Sequence, residues 1–451
     1  MHLTFDVEDG WTDRTYHLED EEGTVIEEIG TAPTLDTLRE AERRHGERLD
    51  LWQTGLICSE CDSPINGRFS ADLDGNPVCW ECAMAAQQDD QNGLRVNADP
   101  TKAVISESSL HEKSLADYVV NVATGCRHGC KFCYVPSTPA IQNREAMLNE
   151  QAGVEDSQQE WGSYLLYRDD LPERIHRELE AFDPDNWKTT DRGRGAVMLS
   201  SGTDCYQDRR AAQITRGVVQ ELVAHGIPVR VLTRSPAVVR DIDLFTEANG
   251  LVTVGSSIPS FDTALVRAME PNAPPPMKRW EALDRLQKAG VPVFVSMSPT
   301  YPTMDEDDLW ELLTWFRALD PEVIFHEPVN PRGANFQMMR AAMEDVGYQD
   351  VADELARVNE DEDYWVEYAL EQIHLVRELA DQIGGLNIHS WPDRKLVEAT
   401  SGSTKHELLE MKREISPEGF ASSENESHFL NHIEHSGSEF PDAQLTQESS
   451  P

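Results

Sequence analysis

From about residue 115 to 395, short apolar, β-branched runs alternate with stretches whose apolar positions recur every three or four residues. The runs are Tyr118–Ala123, Ala196–Ser200, Pro228–Leu232, Leu251–Gly255, Val291–Ser296 and Glu322–Phe325, with a seventh at Leu386–His389. Amphipathic helices such as Ala211–His225 and Lys278–Ala289 fall between them. Continuous apolar strands separated by helices predict a parallel sheet buried on both faces. Six or so such units predict an α/β fold, a partial (β/α)6-type TIM barrel with its chemistry at the carboxyl ends of the strands. A doubly wound open sheet is the competing arrangement.

The pattern changes on either side of this region. Residues 1–54 form an acidic N-terminal segment in which Thr34–Leu51 predicts one helix. Residues 55–86 carry four cysteines around a hairpin pattern and read as a zinc-ribbon-like module, and 87–114 read as a linker. The barrel and its C-terminal helices are expected over 115–400, and 401–451, polar throughout, are expected to be a disordered tail.

Charge narrows the partners. Acidic residues number 82 against 39 basic ones, a formal net charge of −43, and only nine of the basic residues are lysine. The acid is spread along the chain, from Glu19–Glu22 through Asp305–Asp308 to Glu360–Asp363. Such a surface suits a cytoplasm of molar salt, where the Debye length falls to roughly 3 Å and self-repulsion is screened. It disfavours sequence-independent nucleic-acid binding, which rests on Lys and Arg neutralising phosphates. No apolar run approaches the roughly 20 residues of a membrane span, and the first residues carry neither a basic leader nor a continuous apolar stretch. The expected location is the cytoplasm, with no membrane partner.

Seven of the eight cysteines fall in two clusters, which in such a compartment points to metal rather than disulfides. Cys126, Cys130 and Cys133 form C-x3-C-x2-C directly after a strand. The same spacing would place three small side chains on one helix face, but Gly125 and Gly129 disfavour a helix and let a loop wrap a cluster. Three thiolates can hold three irons of a 4Fe–4S cubane and leave the fourth open. Cys58, Cys61, Cys79 and Cys82, two C-x2-C pairs seventeen residues apart, match a four-thiolate structural zinc site. An auxiliary iron–sulfur cluster is the alternative there.

The three-cysteine loop resembles that of the radical S-adenosylmethionine (SAM) superfamily. The segments SSGTDCYQ (200–207), VRVLTRSPAVVRDIDLF (229–245), SSIPS (256–260), RAMEPNAPPP (267–276) and GVPVFVSMSPTYP (290–302) are similar, in order and spacing, to its spore photoproduct lyase-like branch. The likeness covers about residues 115–335 and suggests an acidic, haloarchaeal-type member. It implies that the open iron binds SAM and that an electron from a donor such as a ferredoxin or flavodoxin cleaves it to a 5′-deoxyadenosyl radical. It further implies that Phe132 and Tyr134 pack near the adenine, and that Thr203 and Asp204 meet the methionine end or ribose. On the same grounds Arg234 binds the cofactor carboxylate, where lysine is usual, and Ser256 and Ser257 bond the ribose hydroxyls.

His326, Glu327 and Asn330, in FHEPVNPRG, are candidates for the substrate side, and His389 is a weaker one. In the lyases a cysteine quenches the substrate radical about three residues before the aspartate, where this chain has Ser201. Cys205, next to Asp204, is the candidate hydrogen donor in its place, with simple packing as the alternative. The resulting expectation is a radical SAM enzyme of open substrate. DNA photoproduct repair is one alternative, and an iron–sulfur and zinc sensor protein is another of a different class.

Overall fold

The computed structural model describes residues 93–416 except 182–185, 191, 192 and 200, together with short stretches nearer the start: 2–7, 14–19, 24–30, 41, 43–45, 58, 69–71 and 77–79. Seven strands follow the apolar runs: β1 Tyr118–Val120, β2 Val197–Leu199, β3 Val229–Thr233, β4 Val252–Ser257, β5 Val293–Thr300, β6 Ile324–Pro328 and β7 Ile388–Ser390. They lie side by side in chain order, every pairing parallel. A doubly wound sheet reverses its order at a switch point, and this one does not. The sheet is a partial barrel that does not close: β7 forms one edge, and a short strand Ser106–Glu107, antiparallel to β1, forms the other.

Side-chain alternation explains how the interior is divided. Outward residues such as Val197, Val231, Val254 and Val295 are fully buried against the crossover helices, which contribute Val218, Leu286 and Phe316 among others. Inward residues near the amino ends of the strands make a plug. Phe294 and Phe325 meet edge to face at 5.8 Å, the Arg230 guanidinium lies within 6 Å of both rings, and one of its nitrogens donates to the Ser114 and Leu115 carbonyls. A Cβ at position 255 would come within 2.3 Å of the Phe294 ring, so glycine makes room for the plug. Toward the carboxyl ends the inward positions turn to Ser257, Ser296 and Glu327 and line a cavity.

Several boundaries differ from those the sequence predicts. The run Tyr118–Ala123 splits: β1 stops at Val120, and Ala123–Thr124 pairs antiparallel with Tyr164–Tyr167, which also pairs parallel with Arg95–Ala98. Tyr164–Tyr167 is too short for periodicity to distinguish from a helix turn. The expected linker 87–114 holds Arg95–Ala98, Ser106–Glu107 and a 3-10 helix, Ser109–Lys113. In the first 54 residues, His2–Val7, Arg14–Glu19 and Val25–Gly30 form an antiparallel sheet that the sequence reading lacks. Of the helix expected over Thr34–Leu51, positions 41 and 43–45 are described and are helical.

The tail boundary at 400 falls too early. Gly402–Ile415 is a helix whose Leu408, Leu409 and Met411 are buried, a narrow apolar stripe hidden among charged residues; residues 417–451 lie outside the described ones. The end of this helix is tied to the segment between the Ser106–Glu107 edge strand and β1. Ser114 Oγ donates to the Ile415 carbonyl at 2.5 Å and Ser416 Oγ to the His111 carbonyl at 2.9 Å. In the zinc-ribbon-like region, Phe69–Ala71 and Pro77–Cys79 pair antiparallel and Cys58 is buried, whereas Cys61 and Cys82 lie outside the described residues. Among the described residues no helix is long and apolar enough to cross a membrane.

Candidate active site

The cavity at the carboxyl ends of the strands has a volume of about 610 Å³, in the range of small-molecule sites. Cys126, Cys130 and Cys133 all line it, on the loop that follows Ala123–Thr124. The loop is shaped by its glycines. Gly125 has φ +92°, and a Cβ there would lie 2.2 Å from the Tyr164 carbonyl oxygen; Gly129 has φ +59° and packs on Gly162. Any other residue at 125 would have to displace the backbone of the neighbouring strand.

Neighbouring elements then fix the loop. Thr203 Oγ1 donates to the Gly125 carbonyl at 2.6 Å, and the Arg127 N–H donates to Gln207 Oε1 at 2.6 Å. Asn272 Nδ2 donates to the Arg127 carbonyl, and the Lys131 N–H donates to the Met269 carbonyl at 2.8 Å. Burial pushes the Cys126 thiol up to about 12 and the Cys133 thiol to about 11. Thiols so placed have little reason to ionise alone, whereas a metal deprotonates its thiolate ligands outright. Among the described residues no three His, Cys, Asp or Glu side chains converge on one ion. Ligands that each take a different iron of a cubane need not converge, so the donor set fits a cluster better than a single ion.

Arg234 follows β3 and faces the same cavity. Its guanidinium lies 5.5 Å from the Phe132 ring centroid, and its Nε is 3.4 Å from Glu270 Oε1. Burial opposes its charge, but Cys130, Glu270 and Asp204 together raise its pKa above the usual arginine value. Behind it, Glu270 is fully buried and shared with Arg279, which in turn donates to the Ser257 and Pro274 carbonyls at 2.8 Å. Against the cost of burial, the Arg279 and Arg234 guanidinium groups hold the Glu270 carboxyl below the usual carboxylate range. Arg234 Nε and Glu270 Oε1 make no hydrogen bond. A guanidinium carries five donors, so with Nε turned to Glu270 the group as a whole still suits an anionic cofactor group.

The remaining expected residues divide. Phe132, Tyr134, Thr203 and Ser257 line the cavity; Ser256 does not, and its Oγ donates to the Thr233 carbonyl across the sheet. Asp204 lines it, but its carboxylate serves the protein. It accepts from the Tyr206 and Arg234 N–H groups and Thr233 Oγ1, and lies 3.1 Å from His128 Nε2. Burial would raise its pKa, yet His128 and these bonds hold it at about 2. Asp204 therefore braces three loops from the cavity wall.

Cys205 is 0% exposed, belongs to the hydrophobic core, and does not line the cavity. Its strand end turns it under the helix Arg209–Ala224, whose Thr215 Oγ1 donates to the Cys205 carbonyl. The packing alternative holds for it. Ser201 lines the cavity, and among the described residues no thiol but the three of the loop does.

His326 lines the cavity and is held by hydrogen bonds of its own. Fully buried, it bridges Thr300 Oγ1 at 3.1 Å and Ser390 Oγ at 2.9 Å, and desolvation lowers its pKa to about 3. The unfolded chain binds a proton at this histidine below about pH 6.5 and the folded one only near 3, so stability is lost as pH falls through that window, at about 1.4 kcal/mol per pH unit. His326→Gln should therefore lose about 2 kcal/mol less than wild type between pH 6.5 and 5 in urea unfolding; identical losses would contradict this assignment. Glu327, one residue on, also lines the cavity, paired with Lys113. Asn330 and His389 also line it, the His389 ring edge to face with Phe325 at 5.5 Å.

The sequence reading missed Glu270 and Arg279, which pair within the same segment, and His128 and Asn272, which act on partners far along the chain. It also missed Lys113, Arg332, Trp391 and Lys412, which line the cavity from segments it took for linker, loop and tail. Clustered charge within RAMEP and the oddity of lysine in this chain were the available signals.

Comparison with known proteins agrees with this geometry. Residues 120–316 match the model of the radical SAM superfamily. An uncharacterised protein of Acidianus two-tailed virus is 29% identical over 54% of this chain and 78% of its own length. One from Methanocaldococcus jannaschii is 26% identical over 42% of this chain and 62% of its own. A spore photoproduct lyase variant of known structure superposes with a TM-score of 0.47 and 16% identity over 79% of this chain and 94% of that one. Streptococcus suis SuiB gives 0.36 and 10%, over 63% of this chain and 53% of its own. The three-cysteine loop and strands β2 to β5 lie inside the matched region, so residues 120–316 form a radical SAM domain.

Proposed function

We propose that Cys126, Cys130 and Cys133 hold a 4Fe–4S cluster and that the same cavity binds SAM and a substrate. The observation that carries this reading is the meeting of three buried thiols and the Arg234 guanidinium on one cavity. The cluster, when bound, supplies the electron that cleaves SAM to a carbon-centred radical. The chain's own part is to hold and to exclude. Arg234, pinned between Phe132 and Glu270, presents a fixed cation to the cofactor carboxylate. Phe132, Tyr134 and Ser257 offer ring faces and a hydroxyl to the adenosine. The Phe294–Phe325–Arg230 plug separates the cavity from the amino ends of the strands.

Anaerobic reconstitution with iron and sulfide should give charge-transfer absorption in the visible, and dithionite should then release 5′-deoxyadenosine from SAM. A reconstituted protein that binds iron and cleaves no SAM would sink the reading. Photoproduct repair, the second reading, would need a hydrogen donor other than Ser201 and the core-bound Cys205. We further infer a zinc site at Cys58, Cys61, Cys79 and Cys82 from their spacing, a ferredoxin- or flavodoxin-type electron donor, and a salt-rich cytoplasm from the acid excess.

A further inference from the structure

Acidic residues outnumber basic ones two to one in this chain, yet five basic side chains against four acidic ones line the cavity. Two of the nine lysines are among them. Lys113 Nζ lies 5.9 Å and Lys412 Nζ 4.6 Å from the Trp391 ring centroid, and the Arg332 guanidinium lies 5.3 Å from that of Tyr134. Lys412 is only 1% exposed. Burying an ammonium costs several kcal/mol, and an apolar side chain of equal length would fill the same space more favourably.

We propose that Lys113 and Lys412, which both approach the Trp391 ring, and Arg332, beside Tyr134 in the same cavity, form a subsite for an anionic group of the substrate, a carboxylate or a phosphate. The proposal deepens the radical SAM reading and rests on it only in taking the ligand to be the substrate. Glu327 and Asp393 pair with Lys113 and Arg332 and hold them in place. An ammonium has three donors and a guanidinium five, so both keep capacity for a ligand. Burial draws the Lys412 pKa down to about 8, with Lys113 acting in the same direction and Glu112, Asp393 and Glu327 opposing. Near neutral pH an arriving anion finds this ammonium charged, and it stabilises that charge in turn.

The test uses cluster-loaded, unreduced protein without SAM, at fixed ionic strength, titrated by calorimetry with inorganic phosphate and, separately, acetate. Wild type should bind at least one of the two. Lys412→Met and Arg332→Gln should each bind it about tenfold or more weakly, a loss of about 1.4 kcal/mol. Wild-type affinity should fall as pH rises through about 8, and Lys412→Met should lack that fall. Lys412→Met removes a buried charge without changing chain length, so it should fold. Binding of phosphate alone assigns a phosphate, and of acetate alone a carboxylate. Binding of neither anion by wild type, or undiminished binding by both variants, overturns the proposal. Since the titration needs no reductant and no SAM, failed cofactor cleavage would undo the radical reading and leave this result standing.

Discussion

Cys130→Ser should abolish the visible charge-transfer absorption of the reconstituted protein and all release of 5′-deoxyadenosine, while the protein still folds. A serine hydroxyl is a poor ligand for iron that thiolates hold, and two remaining thiolates cannot replace three around a cubane with one open iron. Cys130 is 6% exposed in a loop fixed by backbone hydrogen bonds, so one sulfur-to-oxygen change leaves the loop's own contacts intact. Cys205→Ala is the control. It removes one buried sulfur from the core, should cost on the order of 1 kcal/mol of stability, and should leave absorption and cleavage unchanged. Equal iron content and absorption in wild type and Cys130→Ser would remove this residue from the ligand set.

The largest expected stability effect lies at Glu270. Its carboxylate and the Arg279 side chain are both 0% exposed, with Arg234 Nε 3.4 Å from the other carboxylate oxygen. Glu270→Gln keeps the shape but leaves two guanidinium groups in the interior without their counter-ion. Breaking a buried pair in this way typically costs about 3–5 kcal/mol. Guanidinium chloride unfolding should show that loss, and adding Arg279→Met should recover part of it because the stranded charge goes too. A loss under about 1 kcal/mol for Glu270→Gln would mean that water already reaches the pair. In the folded variant Arg234 also loses its tether, so SAM affinity should weaken more than the stability change alone explains.

The legible part of this molecule is its local chemistry and local periodicity. All seven strands lie within a few residues of the apolar runs, because a strand buried on both faces must be apolar along its length. The cluster loop was legible because three cysteines and two glycines within nine residues satisfy few other purposes. Residues at strand ends were harder to read. Thr203, Ser257 and Arg234 reach the cavity, whereas Ser256, one position away on the same strand, turns outward, and Asp204 spends its carboxylate on the protein. A strand's period of two gives neighbours opposite faces, and a shift of one residue exchanges their roles.

The sequence by itself determined the parallel order of strands and helices, the three-thiolate loop and the acidic balance, since each depends on residues close together in the chain. Only the tertiary structure decided which distant groups meet. Arg234 gains Glu270, 36 positions on; Asp204 gains His128; and Lys113 meets Lys412 across Trp391 through a C-terminal helix that looked like polar tail. The physical reason is that burial sets the worth of a charge. On an exposed surface Lys412 would be one more solvated side chain, and in a cavity it is a cation held at a cost. Burial is fixed by the packing of elements from across the chain, and no local pattern records it.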